Sequence, residues 1–128
     1  MSFDKLGLIP ELLSAVETQG YEKSTPVQEH AIPAILSGRD VQAKAQTGTG
    51  KTAAFTLPML QLLNQHKSQK HITRALVLLP TRELAAQVED CVQKYGVNLS
   101  LKAISIFGGV SINPQLKALK HGVDILVA

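Results

Sequence analysis

A chain of 128 residues with 45% apolar and 18% charged positions is one globular domain or part of one, and is too apolar to stay disordered. Thirteen basic residues against ten acidic ones leave a formal charge of +3, which permits a polyanionic partner without requiring one. The single cysteine, Cys91, excludes an internal disulfide and suits a reducing cytoplasm, and no apolar run approaches the ~18–20 residues of a membrane span. The opening Met1-Ser2-Phe3-Asp4 carries no basic segment followed by an apolar core, so no signal peptide is expected.

Leu8, Ile9, Leu12, Leu13 and Val16 recur at helical spacing, and Gly20 stops that first helix. Ser24-Thr25-Pro26 starts a second one, with polar caps ahead of a proline suited to the first turn. Pro33 is expected to kink or split it, and Gly38 to end it. Asp40-Val41-Gln42-Ala43-Lys44 alternates as a strand, and a helix then runs from Lys51 towards Asn64, where Pro58 is a point of bending. Residues 66–71 form a polar, basic link. Ala75-Leu76-Val77-Leu78-Leu79 is a continuous apolar run, the mark of a strand covered on both faces. Leu84, Val88, Cys91, Val92 and Tyr95 keep one helical face, on which Cys91 reads as a buried, inert thiol. A strand follows over Leu101 to Phe107, a short helix from Asn113-Pro114 to Gly122, and a last strand over Val123 to Val127. Strand and helix signals alternate, so the fold class is α/β, a parallel sheet with flanking helices.

The segment Ala45-Gln46-Thr47-Gly48-Thr49-Gly50-Lys51-Thr52 carries the most specific chemistry. A glycine-rich turn between a strand and a helix aims successive N–H groups at a phosphate. Lys51 then reaches the β and γ oxygens, and the Thr52 hydroxyl faces a Mg²⁺ ion, which makes this a nucleoside triphosphate site. Ala45 departs from the common pattern, which has glycine there. The plain alternative is an ordinary connection with a chance Gly-Lys-Thr. Two further segments lie at the carboxyl ends of expected strands, Pro80-Thr81-Arg82-Glu83-Leu84 and Gly108-Gly109. They suit a second, longer polyanion; equally, Thr81 reads as a helix cap, Arg82 as a surface charge and the glycine pair as a tight turn.

These residues resemble the first RecA-like domain of a DEAD-box RNA helicase. Gly20-Tyr21-Glu22-Lys23-Ser24-Thr25-Pro26-Val27-Gln28 matches the family's Q motif, with the upstream aromatic at Phe3, so that the motif spans residues 3–28. Ala45 to Thr52 matches motif I, including Ala45; Pro80 to Leu84 matches motif Ia, residues 80–84; Gly108-Gly109 matches the family's glycine pair. The resemblance runs from Phe3 to Ala128 and implies a partial, truncated RecA-like P-loop NTPase domain over residues 1–128.

The resemblance implies ATP and Mg²⁺ as cofactors, RNA as partner and a cytoplasmic enzyme that couples ATP hydrolysis to local duplex unwinding. It implies catalytic roles for Lys51 and Thr52 and nucleotide contacts from Phe3, Tyr21, Thr25, Gln28 and residues 45–52. RNA-backbone contacts fall to Pro80, Thr81, Arg82, Gly108 and Gly109. An amide side chain matches the amino group and N7 of adenine, so Gln28 would favour ATP over GTP by ~1–3 kcal/mol. Tyr21 or Phe3 could cover the adenine face, or simply pack into the core.

The family's Asp-Glu-Ala-Asp segment does not occur in these residues, and Glu83, Glu89 and Asp90 belong elsewhere in its pattern. The 128 residues alone are therefore expected to hydrolyse almost nothing and to hold RNA weakly. A stand-alone nucleotide- or RNA-binding module is the other reading, and a small P-loop kinase a third. In the implied strand order the strand near Val41 lacks neighbours. It is expected to pair with a second copy, giving self-association, or to move beside a half-sheet formed by the later strands.

Overall fold

The computed structural model describes residues 2–46, 48, 50–66, 72–109, 111–120 and 122–128. A 3-10 turn over Phe3–Lys5 leads to α1 (Pro10–Thr18), α2 (Pro26–Leu36) and α3 (Lys51–Gln65). Then β1 (Ala75–Val77), α4 (Arg82–Tyr95), β2 (Ala103–Ser105), α5 (Ile112–Lys120) and β3 (Ile125–Val127) alternate. The polar link expected at 66–71 lies outside the described residues apart from His66. None of the described helices is long and apolar enough to cross a membrane.

The three strands form one parallel sheet in the order β1-β3-β2, with Ala75 and Ala103 both in register with Ile125. Parallel neighbours need crossovers, and α4 and α5 supply them. The central strand is the most apolar and the most buried: Ile125 and Val127 are fully enclosed. They share one core with Leu57, Leu60 and Leu63 of α3 and with Ala85, Val88, Val92 and Tyr95 of α4. Leu12 and Val16 of α1 and Ile32 of α2 extend that core.

The sheet is covered on one face only where β1 is concerned. Leu76 is 58% exposed and Leu78 73%, so the continuous apolar run of residues 75–79 does not mark a strand enclosed on both sides. The run is apolar on both faces, but the helices available here cover one of them. A second correction concerns residues 40–46, which form no strand and do not join the sheet. Alternation specifies two faces, whereas a strand exists only when a neighbour accepts and donates along its edge. Neither proline splits its helix. Pro33 lies inside α2 and Pro58 inside α3, and both helices are single elements.

Two polar side chains, the buried Gln61 and the half-buried Arg74, fix the layout. Gln61 of α3 accepts from the Ile9 N–H at 2.8 Å and donates to the Gly7 carbonyl at 2.8 Å, so it pins the approach to α1. At the amino end of the sheet, Arg74 pairs with Asp124 at 2.9 Å and donates to the Leu63 and His66 carbonyls at the end of α3. The other Asp124 oxygen accepts from the Lys102 N–H at 3.0 Å, so one ion pair joins α3 and the starts of all three strands. The carboxyl end of α3 is thereby held at the amino edge of the sheet. Its amino end, Gly50-Lys51-Thr52, lies about 22 Å away along the helix axis for fifteen residues.

Candidate nucleotide and nucleic-acid site

The site begins with the cap of α2. Thr25 is extended at the N-cap, and its hydroxyl accepts from the Gln28 N–H at 3.5 Å while Gln28 Oε1 accepts from the Thr25 N–H at 3.0 Å. This reciprocal box satisfies two N–H groups that the helix cannot, with Pro26 filling the position that has none to satisfy. The box also buries the amide, leaving Gln28 only 5% exposed. Beside it, the Ser24 hydroxyl donates to Glu29 at 3.0 Å and holds that carboxyl below its ordinary range.

From there Gln28 reaches the phosphate turn. Its Nε2 donates to the Gly50 carbonyl at 3.2 Å, twenty-two residues away in sequence. Gly50 is the N-cap of α3 in the left-handed region, with φ +82°, and no side chain caps the helix. A Cβ there would stand 2.2 Å from Gln28 Nε2, so only glycine fits both the conformation and the contact. The amino end of a fifteen-residue helix without a side-chain cap carries N–H groups that the helix itself does not bond and a partial positive charge, the environment that an anion needs. Lys51 is exposed at its first position and Thr52 half-buried at its second.

Ala45 is half-buried, and Gln46 and Gly48 are exposed; Thr47 and Thr49 lie outside the described residues. Segment 41–46 lies against the first turns of α2 and bounds a cleft of about 490 Å³ with Pro26, Val27 and His30. The two aromatics are placed differently. Phe3 is buried in the core at 6% exposure, whereas Tyr21 is 55% exposed and its hydroxyl lies beside Tyr95. Burial, with Tyr21 adding to it, pushes Tyr95 up to about 12, and burial also raises the half-buried Cys91 thiol.

The second group lies at the carboxyl ends of β1 and β2. Thr81 caps α4, its hydroxyl accepting from the Leu84 N–H at 3.2 Å, and Pro80 precedes it. Arg82 follows at the first helical position and turns to β2: its Nη2 donates to the Gly108 carbonyl. Gly109 is left-handed at φ +76°, and a Cβ on it would come within 2.5 Å of Arg82 Nη2. The two polyanion segments are thus in direct contact, although 26 residues, about 90 Å of fully extended chain, separate Arg82 from Gly108 along the sequence. The reading of Thr81 as a cap is correct in itself, and Arg82 is engaged with backbone. Sequence reasoning missed Gln61, Arg74 and Gln115, because a long-range bond from side chain to backbone leaves no spacing to find.

Comparison with known proteins gives one answer. The family model described as DEAD/DEAH box helicase matches residues 25–128. The chain is 44% identical over 127 residues to the DEAD-box ATP-dependent RNA helicase RhpA of Helicobacter pylori, covering 99% of this chain and 25% of that protein. It is equally identical to the DEAD-box ATP-dependent RNA helicase CshA of Streptococcus pneumoniae, covering 24% of it. Among solved structures, the RNA helicase Prp28 of Chaetomium thermophilum bound to ADP superposes with a TM-score of 0.89 at 41% identity, over 99% of this chain and 31% of that one. A DEAD box protein of Methanococcus jannaschii gives 0.88 at 39%, over 100% and 34%. The chain spans about a quarter of the length of the curated relatives it matches.

Proposed function

The chain belongs to the DEAD/DEAH box helicase family, and from that premise we propose that it forms the ATP- and RNA-binding portion of a RecA-like domain. The parent enzyme would couple ATP hydrolysis to local unwinding of RNA duplexes. The observation that carries this reading is the hydrogen bond from Gln28 to Gly50, which joins a buried amide to an uncapped phosphate-type turn. Lys51 would neutralise the β and γ oxygens, and the N–H groups at the start of α3 would hold the phosphate chain.

The Thr52 hydroxyl, half-buried one position further into the turn, fits a Mg²⁺ ligand. The ion would bridge phosphate oxygens and offset their charge. Gln28 keeps one N–H and one acceptor lone pair beyond the bonds it makes, so it could read an adenine edge without releasing Gly50. RNA would lie along Pro80, Thr81, Arg82 and the glycine pair, contacting backbone phosphates weakly and without sequence preference.

Alone, the 128 residues would bind nucleotide and hydrolyse it poorly, because they contain no Asp-Glu-Ala-Asp segment. The open outer edge of β1, with Leu76 and Leu78 exposed beside it, would favour self-association of the isolated chain. A reducing cytoplasm suits its lone thiol. Calorimetric titration of ATP and GTP into the chain tests the proposal. Binding that favours ATP supports it, and the absence of binding to either nucleotide at millimolar concentration would overturn it.

A further inference from the structure

The turn after β2 is held from two sides, and only one holder belongs to a motif. Arg82 grips the Gly108 carbonyl from α4. From α5, Gln115 does more: its Oε1 accepts from the Phe107 N–H at 3.0 Å, and its Nε2 donates to the Phe107 carbonyl at 3.3 Å and the Ser111 carbonyl at 3.0 Å. An amide that meets both the N–H and the C=O of one residue behaves as a strand partner would, at the point where β2 has run out of neighbours. It therefore fixes the peptide planes immediately before Gly108-Gly109.

We propose that Gln115 is a positioning residue for nucleic-acid backbone binding at the Gly108-Gly109 turn. This rests on the RNA-binding reading above. Backbone amides bind a phosphate well only when their directions are set in advance, since ordering a glycine turn on binding would cost conformational entropy. Gln115 is uncharged and spends its amide on the Phe107 and Ser111 backbone, so its contribution would pass through the turn. That predicts a signature which a phosphate ligand would not give. Removing a cation that touches phosphate lowers both the affinity and its salt dependence, whereas removing a neutral brace lowers affinity and leaves the salt slope alone.

The test compares the complete 128-residue chain with Gln115→Met, which preserves side-chain length and helix propensity and deletes all three hydrogen bonds. Anisotropy with a single-stranded oligouridylate should show affinity falling about 5- to 10-fold with an unchanged slope of log K against log salt. Amide hydrogen exchange at Phe107 should accelerate at least about tenfold. Unchanged exchange would overturn the brace itself. Lost protection with unchanged RNA affinity would overturn its role in binding and leave the RNA reading intact. A wild-type chain that binds no oligouridylate at low salt would sink the RNA reading, and this inference with it.

Discussion

Gln28 Nε2 donates to the Gly50 carbonyl at 3.2 Å, so the residue that caps α2 also holds the entrance to α3. One amide thus ties a base-reading candidate to a phosphate-binding candidate. Gln28→Ala removes that bond and half of the capping box, a structural loss of ~1–2 kcal/mol by itself. ATP affinity should fall roughly 5- to 50-fold, and the margin over GTP should narrow. Titrating both nucleotides into the variant separates the two roles. Equal losses for ATP and GTP would leave Gln28 as a brace of the phosphate turn and remove its part in choosing the base.

Lys51 presents the contrary case. It is exposed, stands directly after a left-handed glycine, and reaches the core at most through its stem, which borders a cleft with Val27, Ala54 and Phe55. Lys51→Ala should therefore leave the melting temperature nearly unchanged, since exposed substitutions usually move stability by under ~0.5 kcal/mol. It should nevertheless weaken ATP binding by ~1.5–3 kcal/mol, the range of a charge-assisted contact. Calorimetry paired with a thermal melt checks both halves, and unaltered ATP affinity would place the triphosphate elsewhere.

The periodicity of Leu12, Val16, Val88 and Val92 is enough to locate α1 and α4, because each buried face follows from spacing alone. Glycines and prolines likewise locate the turns around Thr25 and Gly50. Val41 and Ala43 mislead for a physical reason: alternation describes a ribbon with two faces, while strand formation depends on a neighbour that the ribbon does not encode. The run at Ala75–Leu79 misleads similarly, since apolarity on both faces does not reveal which face this stretch of chain can cover. Gln61, Arg74 and Gln115 are invisible in the sequence. Each is an ordinary polar residue until the fold brings it to a backbone group fifty-two, eleven or eight residues away.

Arg74 and Asp124 should be worth more to folding than to binding. Both are largely enclosed, and the pair joins the end of α3 to the starts of β1, β3 and β2. Arg74→Ala leaves the Asp124 carboxylate with reduced compensation and frees two carbonyls at the end of α3. A loss of ~2–4 kcal/mol is expected in urea denaturation, a large fraction of the ~5–15 kcal/mol stability of a typical domain. The pair lies at the carboxyl end of α3, whose amino end carries Gly50 about 22 Å away. ATP affinity measured well below the denaturation midpoint should therefore stay within about twofold of wild type. A larger drop in affinity would mean that the two ends of α3 are coupled.

Tyr95 sets an alkaline limit. Its phenol is buried in the core formed with α3 and α1, and its ionisation is pushed up to about 12, first by burial and then by the neighbouring Tyr21. In the unfolded chain the same phenol ionises near 10. The folded value is the higher one, so the folded state holds its proton where the unfolded state has lost it. The contribution of this group is complete below pH ~10 and is lost as pH rises towards ~12, by roughly 1–3 kcal/mol. Lysines also titrate in that window, so the comparison must be differential. Tyr95→Phe keeps the ring and removes the titrating hydroxyl, and its stability should decline less steeply than that of wild type between pH 10 and 12. Parallel pH profiles of the urea midpoint would show the two curves converging on the alkaline side, and curves that stay parallel throughout would assign the alkaline limit to other groups.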